Sequence, residues 1–114
     1  MVTKVGALAK GVRISPRKVR LVVDMVRGKK VDEALTILKF SPTPAARAVA
    51  KVVKSATANA ENNFQMEPSD LSITEIFAHE GRTFKRYRPQ GRGRVNPILK
   101  RSTHIGVFVS GGEE

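Results

Sequence analysis

Residues 81–97, GRTFKRYRPQGRGRVNP, hold six basic side chains and no acid. Such a stretch cannot enter a hydrophobic core, because each buried charge needs a partner that the stretch does not contain. Its centre, Pro89 to Gly93, has turn chemistry. A turn near Gln90-Gly91 lets the flanks pair as one long β-hairpin. Each arm would run about ten residues beyond the body, or roughly 30 Å. Phe84, Tyr87, Val95, Ile98 and Leu99 stand isolated among Arg and Lys, so nothing in the segment provides an apolar face. A two-stranded ribbon of this kind is marginal alone in water. Its support comes from elsewhere, and its charge says that the support is anionic. A basic loop that orders on binding carries the same implication.

The rest of the chain repeats the signal. Residues 1–30 carry nine basic groups and one acid, Asp24; residues 31–80 carry four basic groups and seven acids. Residues 81–112 carry eight basic groups and no acid, and the net charge of the 114 residues is +11. A surface that served only solubility would mix the signs. Two basic blocks around a mildly acidic middle imply surfaces that meet phosphate. An anionic membrane fits less well, since no helix joins a basic face to Trp or Phe on its apolar side. No apolar run is long enough to span a bilayer, and no N-terminal run resembles a signal peptide. The chain has no cysteine, which excludes disulfides and thiolate metal sites and fits a reducing compartment.

The body reads as mixed helix and strand. Residues 2–12 alternate loosely and predict a strand. Ser15-Pro16 starts a helix as N-cap and first residue, Val19, Val22, Val23 and Val26 follow at helical spacing, and Gly28 ends it. Arg17, Lys18, Arg20 and Arg27 mark its other side, with Arg13, Lys29 and Lys30 adjoining. A second helix is capped by Asp32, has the stripe Val31, Ala34, Leu35 and Leu38, and is interrupted by the SPTP run at 41–44. Thr43 and Pro44 open a third helix, buried through Ala46, Val49, Val53, Ala56 and Ala60 and ending near Asn62-Asn63. Residues 64–69 form a polar loop. Strands follow at 70–79 and 98–109, the second with Ile105, Val107 and Val109 on one face.

Catalytic chemistry is hard to find. His79 and His104 have no cysteine or nearby carboxylate pair, and no P-loop, serine elbow or dinucleotide fingerprint is present. We therefore expect no enzyme, no metal and no cofactor. A helix-turn-helix regulator is the competing reading. Its recognition helix would be 44–62, which carries only Arg47, Lys51 and Lys54 among many alanines and is a poor base reader. Too few aromatics accompany the arginines at 82–94 for a stacking platform. Backbone and shape contacts are favoured over sequence readout.

Three stretches match a known family. RISPRKVRLVVDMVRGKKVDEALTIL at 13–38, SATANAENN at 55–63 and EGRTFKRYRPQGRGRVNPILKRSTHI at 80–105 resemble, in order, the uL22 family of bacterial large-subunit ribosomal proteins. The resemblance implies an α+β fold, with a three-stranded antiparallel sheet packed against three helices and a long protruding basic β-hairpin. It implies a single domain, with a body at about 1–80 and 102–112 and a hairpin at about 80–101. It implies a cytoplasmic structural protein of the large subunit that binds 23S rRNA, touches neighbouring ribosomal proteins and supports assembly. On this sequence the expected rRNA-binding residues are Arg13, Arg17, Lys18, Arg20, Lys29, Lys30, Arg82, Lys85, Arg86, Arg94, Lys100 and Arg101. The expected tip, Arg88, Pro89, Gln90, Gly91, Arg92 and Gly93, would line the polypeptide exit tunnel beside the nascent polypeptide and near bound macrolide antibiotics. One departure is Val95-Asn96-Pro97, where the family typically has an Ala-Asp or similar pair. Pro97 cannot donate to a strand ladder, so it predicts a bulge or break in the returning arm.

Overall fold

The computed structural model describes residues 4–90 and 94–111, with 84–90 and 94–99 described by their backbone. Three helices, α1 (Pro16–Val26), α2 (Val31–Lys39) and α3 (Pro44–Phe64), accompany five strands. These are β1 (Lys4–Val12), β2 (Leu71–Glu80), β3 (Phe84–Gln90), β4 (Arg94–Lys100) and β5 (Thr103–Gly111). An antiparallel sheet in the order β1-β5-β2 carries the body, and β3 and β4 form a separate antiparallel pair.

Helix α1 starts where the Ser-Pro pair places it. Ser15 is the N-cap and Pro16 the first residue. The Ser15 hydroxyl makes no capping bond; its backbone carbonyl accepts from the N–H of Lys18 and Val19. Gly28 follows the helix at φ +80, a left-handed conformation that suits glycine. Helix α2 departs from expectation, since Lys30 and not Asp32 is its N-cap. The backbone explains the change. The Ile73 N–H donates to the Lys29 carbonyl at 2.9 Å, and Lys30 bridges to Ser72, so the chain is held extended against β2 until Val31. Asp32 and Glu33 then fall in the first turn, where they complement the helix dipole. In α3 the Thr43 hydroxyl accepts the Ala46 N–H at 3.2 Å, as its position predicts. The helix runs on to Phe64 because the left-handed residue that ends it is Gln65, at φ 52.

The core lies between the helices and one face of the sheet. Ile105, Val107 and Val109 on the central strand are fully buried, as are Val19, Val49 and Val53. Ala46, Ala56 and Ala60 are also fully buried, and their small side chains let α3 lie close to the sheet. On the opposite face, aromatic rings cover glycines. A Cβ on Gly106 would lie 2.2 Å from the Phe77 ring, and one on Gly6 would lie 2.7 Å from Phe108.

The expected strand at 98–109 is two strands, parted at Arg101-Ser102. Glu80 pairs with Thr103 while Phe84 pairs with Lys100, so three residues on one side of the joint oppose two on the other. An extra residue of this kind is a bulge, which bends and twists the ribbon. The joint is tied by the Gly81 N–H to the Ser102 carbonyl at 2.9 Å and by the Ser102 hydroxyl to the Arg82 carbonyl at 2.6 Å.

Beyond the joint the register runs unbroken from Phe84–Lys100 to Gln90–Arg94. The bulge or break expected at Pro97 is absent from the described ladder: Pro97 pairs with Tyr87, and Pro89 pairs with Val95. These pairs are two steps apart, so both belong to the same alternating class. In the class whose N–H groups point away from the partner strand, a missing N–H costs no ladder bond. Each paired arm has seven residues rather than about ten. The molecule measures 66 × 25 × 18 Å, with a radius of gyration of 17.2 Å. A compact chain of this length would have a radius near roughly 13 Å.

Candidate nucleic-acid interface

The cationic side of α1 divides into two functions. Arg17 and Lys18 are exposed. Arg20 is exposed too, but its Nε donates to the Ala78 carbonyl at 3.1 Å. Arg27 donates through Nη2 to the Ile76 carbonyl at 3.2 Å and through Nη1 to Asp24 at 2.6 Å. Both arginines therefore cover the outer edge of β2, whose carbonyls would otherwise be open to pairing with another chain. The bridge from Lys30 to Ser72 closes the same edge further along. That bond uses one of the five N–H donors of the Arg20 guanidinium.

Arg13, Lys18, Lys100 and Arg101, from the two basic blocks of the sequence, meet at the hairpin base. They rim a cleft of about 890 Å³ whose apolar lining includes Ile14, Leu21, Val22, Met25 and Pro42. Among the described residues no acid lines it. Arg101 lies 4.0 Å from Glu80, with both side chains about half exposed, so the pair is weak and open to competition by phosphate. Arg82, next to the joint, is exposed, and its carbonyl is bound by Ser102. Lys29 is half-buried and Lys30 exposed; they sit at the other end of α1, apart from this cleft.

The hairpin residues are placed by register. Lys85 pairs with Leu99, Arg86 with Ile98, Arg88 with Asn96, Pro89 with Val95, and Gln90 with Arg94. Gly91, Arg92 and Gly93 of the expected tip lie outside the described residues.

A second basic groove was not read from the sequence. Lys39 on α2 and Arg47, Lys51 and Lys54 on α3 line a depression of about 740 Å³, again without an acid among the described residues. The signal was present, since 47, 51 and 54 share one helical face. The negative sum over 31–80 concealed it, because the acids of that block lie elsewhere. Among the described residues no cluster of three or more His, Cys, Asp or Glu could hold a metal ion. Among them too, no helix is long and apolar enough to cross a membrane.

Comparison with known proteins gives the family. The family model described as "Ribosomal protein L22p/L17e" matches residues 7–110. The large ribosomal subunit protein uL22 of Dehalococcoides mccartyi strain 195 is 62% identical over 107 residues, covering 94% of this chain and 98% of that protein. The proteins of the same name from strains BAV1 and CBDB1 are 61% identical over the same share of each chain. With a match of this extent, and with the α+β body and basic hairpin in place, the chain belongs to the ribosomal protein L22p/L17e family.

Proposed function

We propose that this protein is a structural, non-catalytic constituent of the large ribosomal subunit in the cytoplasm, bound to 23S rRNA through the cationic side of α1 and the basic hairpin. The observation that carries the reading is that Arg13, Lys18, Lys100 and Arg101 line one cleft at the hairpin base, with no acid among its described lining residues. Phosphates there engage both basic blocks of the chain at once, and release of their counterions drives association.

In this reading the chain works as one unit. The body (about 1–80 and 102–112) anchors the protein, and the hairpin (about 80–101) reaches into the RNA. Arg17, Lys18, Arg20, Lys29, Lys30 and Arg13 serve the body contact; Arg82, Lys85, Arg86, Arg94, Lys100 and Arg101 serve the hairpin contact. The tip, Arg88 to Gly93, reaches the polypeptide exit tunnel, where it meets the nascent chain and stands near the macrolide site. The unbroken register to Gln90–Arg94 supports that reach. The relatives, both large ribosomal subunit proteins by name, support the ribosomal assignment.

Sedimentation of a lysate on a sucrose gradient tests the proposal. The protein should travel with the large subunit and leave it only at high salt. Migration as free protein at low salt would refute the assignment.

A further inference from the structure

We infer that the cleft at the hairpin base holds one unpaired nucleotide of the bound RNA, with its base on the apolar floor and its phosphate on the cationic rim. The inference rests on the RNA-binding reading above and deepens it.

A surface that meets only phosphate has no need of exposed apolar side chains. This one lines the same cleft with Leu21, 68% exposed, and Met25, 43% exposed, as well as with four cations. Both lie on α1 one turn apart, so they present one apolar strip. Pro42, between α2 and α3, lines the same cleft. Arg13, Lys18 and Arg101 stand around that strip. The first residues of α3 line the same cleft, so the positive end of its dipole adds to the field.

The combination selects its occupant by chemistry. An uncharged apolar segment would leave the cations without partners, and a paired RNA helix presents phosphates and sugars but keeps its bases stacked. An unpaired nucleotide has a flat, weakly polar base and a phosphate a few ångströms away. Proteins that take up an unstacked base hold it between aromatic or apolar side chains, and here the side chains are aliphatic. The volume of about 890 Å³ accommodates a nucleotide with room for water.

Leu21→Ser and Met25→Ser test the inference, since both side chains are exposed and the changes leave the charge unaltered. The probe is a 23S rRNA transcript trimmed by nuclease to the part that the full chain protects. Each variant should bind about tenfold more weakly at every salt concentration, as expected when a buried apolar contact is lost, with the log–log salt slope of the wild type. A base shielded from base-selective chemical probes by the wild type should become reactive. Lys18→Ala serves as the contrast, lowering the slope by about one. Wild-type affinity and shielding in both serine variants would overturn the nucleotide site while leaving RNA binding intact. Intact RNA affinity with loss of the variants from the assembled subunit would also overturn it, and would give the cleft to a protein neighbour. A wild-type chain that fails to bind the transcript sinks the broader reading instead.

Discussion

At the scale of single residues, two glycines are required for different reasons. Gly106 lies beneath the Phe77 ring, and a Cβ there would come within 2.2 Å of it. Gly106→Ala is expected to lower the unfolding free energy by about 1–3 kcal/mol. Most of that loss should be recovered in a Phe77→Leu background, as read by urea denaturation. Gly28 has nothing within 4 Å of its would-be Cβ but stands at φ +80. Gly28→Ala should therefore cost about 1–2 kcal/mol from backbone strain alone, and no neighbouring substitution should rescue it.

At the scale of elements, α1 shows why residue type alone does not reveal a role. Arg17, Lys18, Arg20 and Arg27 look alike as a cationic face, yet Arg20 and Arg27 close the β2 edge. Arg20→Ala should lose about 1 kcal/mol of stability as a hydrogen bond goes, while Arg17→Ala should leave stability unchanged. Thermal unfolding of the two variants separates these roles. The helices were legible because their signals are local: valines at helical spacing, a Ser-Pro and a Thr-Pro start, and a terminal glycine. The α2 cap was misread because β2, more than thirty residues on, holds Lys29 and Lys30 extended. The split at Arg101-Ser102 was equally hidden, since a bulge depends on what the opposite strand contributes. The sign of the site was legible from composition along the chain. Its shape was not, because only folding brings residues 13–18 beside 100–101.

At the scale of the whole molecule, a compact body carries an extended ribbon. Among the described residues, β3 and β4 form a two-stranded sheet of their own. The described core is built from α1, α2, α3 and the central sheet. Replacing residues 84–100 by a short turn that spans the joint should thus leave the thermal midpoint of the body within about 4–8 °C of the full chain, the shift that 1 kcal/mol produces. The same deletion should sharply weaken RNA binding, whereas a regulator that read its target through α3 would lose little.

The central claim is that two basic surfaces, joined at the hairpin base, bind polyanion by displacing its counterions. The affinity of the full chain for a 23S rRNA transcript, measured across a salt series, tests it most directly. With six cations on phosphate, the log–log slope should be about −4 to −5, and the hairpin-deleted chain should show a shallower one. An affinity that hardly changes with salt, or an equal slope in both chains, would contradict it.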